Sequence, residues 1–298
     1  MGEVNKMIKT KQMTFLIFSF DYDWKSGGNQ VLHDLAKILS KDNTTYVCAN
    51  KTLFDSKAIC VNFDKAKELA ALNDTVTIYP EVITGNPFEA KNVVRYVLYY
   101  PGWHAGDKEY NESELVITYN HEFVKNTKYD KSFILTVIDP KLSIMKNTGQ
   151  QRDKIGLLVR KCKDFDYKMN LLKNYKNLIN LPIISIDDII NKCNNLNELA
   201  EIYNQITLFI SFDPHSYHST MAALCGCQSL VIPSEDLSSK EFYNVQKYGV
   251  AYGFENIDFA KLTQGKMIED LKTMEQNTYT QCSQFVELVR NYFINKAK

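Results

Sequence analysis

The segment TLFISFDPHSYHSTMAALCGCQSLVIP (207–233) has the pattern of an anion-binding unit. Its apolar, β-rich runs 207–212 and 228–232 predict two strands, and a short helix of small residues opening at Ser219 or Thr220 is predicted between them. The first turn of a helix presents N–H groups without intrahelical partners and the positive end of the helix dipole. At the mouth of a parallel sheet, this turn predicts a site for a phosphorylated ligand. Simple capping of the helix by either hydroxyl is the structural alternative, and the two roles are compatible.

A pair of cations follows another predicted strand. Arg160 ends the apolar run KIGLLVR (154–160) and Lys161 comes directly after it. Two neighbouring cations can clamp a diphosphate, because Arg gives forked hydrogen bonds and Lys a compact point charge. Spacing alone favours the plainer interpretation, a solvated strand end.

Two adjacent glycines, Gly27 and Gly28, lie between the first predicted strand FLIFSF (15–20) and the first predicted helix (30–42). Open α/β folds bind ligands at this end of the sheet, and adjacent glycines permit positive φ and close backbone approach. Since the segment is not GxGxxG, a dinucleotide fingerprint is absent. A plain tight turn and a ligand-binding loop therefore remain equally balanced.

Four side chains are candidates for a general base, all in the first half of the chain: Asp21, Asp23, His104 and His121. A histidine in a loop suits this role because its ordinary pKa lies near neutrality. For each of the four, a structural hydrogen bond is the commoner role. The sequence contains no G-x-S-x-G, HExxH or P-loop motif, which weighs against the corresponding hydrolases, zincins and NTPases.

Charge and cysteine content restrict the class of protein. The 298 residues carry 35 Lys and Arg against 35 Asp and Glu, so no net field favours nucleic acid or an anionic membrane. The seven cysteines are scattered, with Cys225 and Cys227 as the closest pair and no metal-binding spacing. Buried small side chains are the expected role of that pair. We expect a cytoplasmic protein with no metal and no cofactor, and peripheral contact with a membrane stays open.

The elements that must position these residues alternate between apolar strands and amphipathic helices, which predicts α/β architecture with parallel sheets. The segment NPFEAKNVVRYVLYY (86–100) is predicted as a helix, because Asn86 suits the N-cap and Pro87 the first helical position. The pattern dissolves into polar residues at 141–154. We therefore predict two successive α/β domains, 1–145 and 146–298.

Taken together, these segments resemble a GT-B glycosyltransferase of the kind that builds surface polysaccharides or viral glycans. The order of the segments carries the resemblance, and no single motif is diagnostic. The segments are SFDYDWKSGGNQVLHDLAKIL (19–39), YPEVITGNPFEAKNVVRYVLYYPG (79–102), LLVRKCKD (157–164), FDPHSYHSTMAALCGCQSLVIPS (212–234) and KYGVAYGFENID (247–258).

The resemblance implies two Rossmann-like domains that face each other across a cleft, with an acceptor on the first and a nucleotide-sugar donor on the second. It assigns donor binding to Gly27, Gly28, Arg160, Lys161, Asp213, Ser219 and Thr220. The leaving diphosphate would be stabilised by cations and a helix dipole instead of a metal ion. The final helix, over 280–298, would cross back to the first domain.

One residue departs from the family pattern. Many relatives have a Glu that holds the ribose hydroxyls where this chain has Met221, so either Asp213 or Glu235 replaces it or the ribose is held differently.

The leading hypothesis is sugar transfer from a nucleotide-diphosphate donor to a hydroxyl of a glycan, lipid-linked or protein-linked acceptor. The alternatives are a non-catalytic GT-B-like subunit that binds glycan or acts as a scaffold, and a sugar-nucleotide epimerase.

Overall fold

A computed structural model describes residues 13–160, 162, 164–174, 181–234 and 248–294. The chain divides into two compact units. Unit 1 comprises residues 1–137 and 278–298, and unit 2 comprises residues 138–277. Each unit is built on its own parallel sheet, so the predicted α/β fold class with two Rossmann-like units is confirmed, while the bounds 1–145 and 146–298 stay a prediction.

The sheet of unit 1 has seven parallel strands in the order β3-β2-β1-β4-β5-β6-β7. Successive side chains of a strand point to opposite faces of the sheet, and helices cover both faces. Ile17 packs with Leu35 of the first helix on one face, while Leu16 packs with Leu69 of the second helix on the other. The strands are β1 (Thr14–Phe18), β2 (Thr44–Cys48), β3 (Ile59–Val61), β4 (Thr75–Pro80), β5 (Val93–Val97), β6 (Leu115–Thr118) and β7 (Phe133–Ile134).

The helix predicted over 86–100 is wrong. Residues 93–97 form β5, a fully buried strand that pairs in parallel with β4 and β6. The cap signal at Asn86 belongs to a tight loop: its Oδ1 accepts the N–H of Ala90 at 2.8 Å, and its Nδ2 donates to the carbonyl of Ala90 at 2.8 Å. A short, largely apolar run is compatible with either a buried strand or a buried helix, and here the pairing with β4 and β6 decides.

The sheet of unit 2 has five parallel strands in the order β12-β11-β10-β8-β9. They are β8 (Lys154–Leu158), β9 (Ile183–Ser185), β10 (Ile206–Ser211), β11 (Gln228–Val231) and β12 (Val250–Tyr252). Ile155, Ile210 and Leu230 form one face of the sheet, which packs against Leu172 and Ala260 of two helices.

The sequence pattern also predicts a helix near 187–204, where the structure has two helices separated by residues 193–195. Glu235 lies outside the described residues, as does the segment 236–246, for which the sequence pattern predicts a helix or a loop. The helices are α1 (Gly27–Leu39), α2 (Phe63–Ala70), α3 (Phe165–Asn174), α4 (Ile186–Lys192), α5 (Leu196–Tyr203), α6 (Tyr217–Leu224), α7 (Ile257–Leu262) and α8 (Gln264–Val289).

Helix α8 begins in unit 2 and ends in unit 1. Its residues Cys282, Phe285 and Val289 belong to the core cluster of unit 1, and the ring of Phe285 lies 6.1 Å from that of Phe15. None of the helices in the described part of the chain combines the length and the hydropathy that a membrane span requires.

Candidate functional site

The strand order of unit 2 places a topological switch point between β8 and β10. The chain first adds β9 on one side of β8 and then crosses to the other side to form β10, β11 and β12. In open parallel sheets, ligands bind outside the carboxyl ends of the strands at this point. Leu158 pairs with Ser211 at the ends of β8 and β10, so Arg160 and Asp213 each lie two residues beyond that pair. The structure therefore brings these two predicted residues to the same edge of the sheet.

Arg160 is an exposed cation at this edge. Its Nε lies 3.9 Å from Oδ1 of Asp187, and its side chain is 38% exposed. Oδ2 of Asp187 accepts the backbone N–H of Val159 at 2.8 Å, which fixes the position of the carboxylate. Arg160 is thus oriented by a weak, solvent-screened ion pair and can exchange it for a ligand anion. Lys161 lies outside the described residues.

Helix α6 begins earlier than the sequence pattern predicts. Its N-cap is Ser216, whose hydroxyl accepts the N–H of His218. The predicted openings at Ser219 and Thr220 are therefore wrong, since these residues are the third and fourth of the helix. Three hydroxyl residues within five positions could each cap the helix, and sequence alone does not separate them.

The hydroxyl of Ser219 is buried and has no hydrogen-bond partner among the described residues. Ser219 is 3% exposed, and its backbone N–H is used by the carbonyl of Ser216 at 3.1 Å. A buried hydroxyl left unsatisfied costs about 1–3 kcal/mol. It lies in the first turn of α6, where the helix dipole favours an anion.

Tyr203 connects the electrostatics of Arg160 to the first turn of α6. Burial raises the pKa of the Tyr203 hydroxyl well above its ordinary value, and the Arg160 guanidinium acts in the opposite direction. That hydroxyl lies 2.8 Å from Nδ1 of His218, the second residue of α6. The positive field at this edge therefore comes from both the cation and the helix dipole.

A buried lysine, absent from the sequence predictions, supports the same loop. Lys168 of α3 is 1% exposed, and its Nζ donates to the carbonyl of Phe212 at 2.7 Å and lies 3.3 Å from Oδ1 of Asp164. The pattern of α3 offers no signal for it, because a single Lys in a helix is ordinarily exposed.

The carboxylate of Asp213 shapes the turn before α6. Asp213 is 2% exposed, and its Oδ1 accepts the backbone N–H of His215 at 3.0 Å. Its backbone N–H and carbonyl both bond to the Ser211 hydroxyl, at 3.2 and 2.8 Å. The predicted role of Asp213 with a ligand remains a prediction.

In unit 1, the predicted glycine loop is instead the first turn of α1. Ser26 is the N-cap, Gly27 and Gly28 are the first two helical residues, and neither has positive φ. A Cβ added to Gly27 meets no atom within 4 Å, and one on Gly28 makes ordinary contact with Leu98 at 3.5 Å. Neither backbone conformation nor packing thus requires glycine at these positions.

Asn29 organises the loop that precedes α1. Its buried amide donates to the carbonyls of Phe20 and Asp21, both at 3.2 Å, and its Oδ1 accepts the N–H of Asp23 at 2.8 Å. His33, one turn later, also contacts the carbonyl of Phe20, through Nε2 at 2.8 Å.

The two candidate aspartates are bound to local backbone groups. Oδ1 of Asp21 accepts the backbone N–H of Asn50 at 2.6 Å, and this hydrogen bond lowers the pKa of Asp21. Oδ1 of Asp23 accepts the N–H of Lys25 at 2.9 Å. A lowered pKa makes Asp21 a weaker proton acceptor, so the geometry favours the histidines as a base.

The two candidate histidines lie in loops at the carboxyl ends of β5 and β6. His121 begins a 3₁₀ turn (His121–Phe123), and its Nε2 lies 3.1 Å from Oδ1 of Asp130. The ring of His104 stacks on that of Tyr99 at 5.3 Å. A carboxylate partner such as Asp130 fixes the tautomer and ring orientation of a general base, which favours His121 for that role.

Cysteines and carboxylates form no metal centre in the described residues. No group of three or more His, Cys, Asp or Glu side chains there could hold a metal ion. All seven cysteines are free thiols, and burial raises the pKa of Cys225 and of Cys227 to about 12. The interpretation of this pair as buried small side chains is confirmed.

No protein-family model and no curated protein sequence matches the chain. Among solved structures, a mutant O-GlcNAc transferase of Thermobaculum terrenum superposes with a TM-score of 0.51 and 11% identity, covering 95% of this chain and 68% of that one. Anabaena HepE in complex with UDP gives a TM-score of 0.44 and 12% identity, with 94% and 96% of the two chains covered. HepE with UDP and glucose gives 0.46 and 11%, with 95% and 96% covered. The predicted resemblance to GT-B glycosyltransferases is therefore confirmed at the level of the fold.

Proposed function

We propose that this chain is a glycosyltransferase that moves a sugar from a nucleotide-diphosphate donor to an acceptor hydroxyl of a glycan, lipid-linked or protein-linked molecule, without a metal ion. The observation that carries the proposal is the switch point of unit 2. There Arg160, the first turn of α6 and the buried, unpartnered hydroxyl of Ser219 share one edge of a parallel sheet. A diphosphate fits this chemistry, because it accepts hydrogen bonds and carries the charge that the cation and the dipole favour.

The chemistry of transfer follows from that site. As the glycosidic bond of the donor breaks, negative charge develops on the leaving diphosphate. A preorganised cation and helix dipole stabilise this charge more than they stabilise the ground state, which is the condition for catalysis. Lys161, next in sequence to Arg160, is the proposed second cation. The similarity in fold to an O-GlcNAc transferase supports this class of reaction.

Unit 1 is proposed to act on the acceptor. His121 is the proposed general base: with Nε2–H directed at Asp130, its Nδ1 is the nitrogen that takes the acceptor proton. Gly27 and Gly28 are proposed as a second ligand contact. Glycine in a helix costs up to about 1 kcal/mol per residue relative to alanine, and packing requires glycine at neither position. A ligand that approaches the backbone here would explain both glycines.

A screen of nucleotide sugars, read out as released nucleoside diphosphate, tests the proposal. With the active donor, the double variant Arg160→Ala, Lys161→Ala is expected to raise the Kd at least tenfold and to lower turnover. Lys154→Ala is the matched control, since Lys154 begins the same strand at its opposite end and pairs with Asp153. Unchanged donor affinity and turnover in the double variant contradict the assignment.

A non-catalytic, glycan-binding role is the second candidate, and Met221 is the observation that favours it. Met221 is 3% exposed within α6, at the place where the family resemblance implies an acid for the ribose. Calorimetry separates the two functions, because a protein that only binds glycan takes up none of the nucleotides or nucleotide sugars.

A further inference from the structure

Loops after β5 and β6 build a partly exposed aromatic cluster at the carboxyl edge of the unit 1 sheet. This aromatic platform consists of Tyr99, Tyr100, Trp103, His104 and Phe123. The Tyr99 ring lies 5.3 Å from His104 and 5.8 Å from Trp103, and the Tyr100 ring lies 6.1 Å from Trp103. Phe123 lies 5.3 Å from both tyrosines. The five rings thus form one continuous set of contacts.

The platform has a buried layer and an exposed layer. Tyr99 and Phe123 are 8% and 6% exposed and belong to a core cluster with Val97 and Val124. Trp103 is 38% exposed, and His104 is also exposed. The inner rings therefore support an indole that faces solvent, although tryptophan is on average a highly buried residue.

The loop that carries Trp103 is held rigidly. Tyr100 to Trp103 form a turn closed by the N–H of Trp103 on the carbonyl of Tyr100 at 3.1 Å, with Pro101 in second place and Gly102 at φ +70° in third. These are the residues that a type II turn requires. Gly106, at φ +80°, packs so tightly that an added Cβ would lie 2.0 Å from the carbonyl oxygen of Glu81.

Asp107 anchors the same loop further along, since its Oδ2 accepts the N–H of Gly85 at 2.7 Å. A surface side chain fixed in this way loses little conformational entropy when a ligand binds. The platform is therefore preorganised.

Polar groups flank the rings. His121 and Asp130, with side chains 42% and 47% exposed, pair at 3.1 Å, and His121 shares its 3₁₀ turn with Phe123. Aromatic surface beside a few fixed polar groups is typical of small-ligand sites. A pyranose ring matches both features, because one face presents C–H groups to an aromatic ring while the hydroxyls at its rim form hydrogen bonds. The carboxyl edge of a doubly wound sheet is also where such folds bind ligands.

We propose that the aromatic platform binds a gluco- or galacto-configured pyranose of an oligosaccharide, with the C–H face of the sugar on Trp103 and its hydroxyls toward His121 and Asp130. The inference rests on the proposed transferase function only where it identifies the acceptor as a glycan. Binding by the platform itself requires no donor.

The two tryptophans of the chain allow a direct test. In the full chain with Trp24→Phe, Trp103 is the single tryptophan reporter. Titration with cellotriose, maltotriose, chitotriose and lactose is expected to change its emission saturably with at least one sugar. No response to any of the four overturns the proposal. A shift in emission that depends on protein concentration without sugar also overturns it, since it means that a second copy or another protein surface covers the platform.

Calorimetry on platform variants completes the test. Trp103→Leu is expected to raise the Kd for the responding sugar at least tenfold, while Trp103→Phe keeps it within about threefold, because a ring remains. Phe54→Leu is the control, since Phe54 is another exposed aromatic residue of unit 1 with no ring contact among the described residues. Equal affinities for the Trp103→Leu variant and the unmodified chain overturn the proposal.

Release of nucleoside diphosphate by slow transfer of the sugar to water, without another acceptor, reports the donor site separately. Turnover of a donor with no response of Trp103 supports the transferase function and contradicts glycan binding by the platform. A response of Trp103 without nucleotide binding supports glycan binding by the platform and contradicts the transferase function.

Discussion

Lys168 donates a hydrogen bond from its buried Nζ to the carbonyl oxygen of Phe212, at 2.7 Å. Phe212 follows β10 directly, and its backbone N–H bonds in turn to the carbonyl of Leu158 at the end of β8 at 2.8 Å. A single side chain of α3 thus fixes the point from which the turn to α6 departs. The position of the proposed diphosphate site depends on a residue that is too buried to touch the ligand.

Lys168→Met tests this relationship. The substitution removes the hydrogen bond to Phe212 and leaves Asp164 without its cation, so we expect the free energy of unfolding of unit 2 to fall by about 2–3 kcal/mol. Both tryptophans lie in unit 1. During urea unfolding, tryptophan fluorescence therefore reports unit 1 alone, whereas circular dichroism reports both units. The part of the circular-dichroism change that does not coincide with the fluorescence change reports unit 2.

Lys173→Met is the matched control for that measurement. Lys173 is an exposed lysine of the same helix, and its contact with Asn170 is long, at 3.4 Å. A similar loss in both variants means that the hydrogen bond to Phe212 contributes nothing specific.

Ser219→Ala separates stability from binding. Removing an unsatisfied buried hydroxyl is expected to leave the unbound protein equally stable or more stable by up to about 1 kcal/mol. The same change is expected to weaken nucleotide binding about five- to tenfold, because the hydroxyl is the proposed donor to a phosphate oxygen. Thermal unfolding without ligand and calorimetry with the nucleotide measure the two effects.

Ser216→Ala supplies the contrast for Ser219. It removes the N-cap of α6, so it is expected to lower stability by about 1 kcal/mol. If Ser219→Ala behaves like Ser216→Ala and leaves nucleotide affinity intact, the Ser219 hydroxyl has a structural role only.

The sequence predicts the elements best where a strand lies between clear breaks. The apolar run 75–80 predicts a strand, and it forms β4. The run 93–97 is not predicted as a strand, because each of its residues is buried and it contains Arg95, a charge that a strand interior ordinarily excludes. The structure supplies what the pattern lacks: the Arg95 guanidinium donates to Glu114 and to the carbonyls of Ile83 and Gly85. Contacts this distant in sequence leave no local signal.

The candidate site divides in the same way. Arg160 could be predicted because a cation at the end of a parallel strand must emerge at the carboxyl edge. Lys168, Asn29 and the pairing of His121 with Asp130 could not, since each depends on which loops meet in three dimensions. The N-cap of α6 lies at Ser216, three residues before Ser219, and sequence alone does not distinguish the two because both are equally good caps.

Asn29→Ala tests the loop that precedes α1. The change leaves the carbonyls of Phe20 and Asp21 and the N–H of Asp23 without their side-chain partner, so the free energy of unfolding of unit 1 is expected to fall by about 2–3 kcal/mol. Tryptophan fluorescence during urea unfolding measures it. Asn29→Asp keeps the acceptor for Asp23 but turns the donor toward two carbonyls into an acceptor, so it is expected to be at least as damaging. An Asp variant as stable as the original chain contradicts the proposed orientation of the amide.

His33 makes the stability of unit 1 depend on pH. Burial lowers the pKa of its imidazole below the ordinary 6.5, and the hydrogen bond to the Phe20 carbonyl and the charge of Asp21 offset this only in part. As the pH falls below about 6.5, the unfolded chain takes up a proton on His33 before the folded chain does, so the free energy of unfolding falls. The decrease levels off once the pH is below the lowered pKa of the folded state. Urea unfolding followed by tryptophan fluorescence between about pH 5 and 7.5 is expected to show this slope, and His33→Gln is expected to reduce it. Equal slopes in the two proteins would mean that other groups carry the pH dependence.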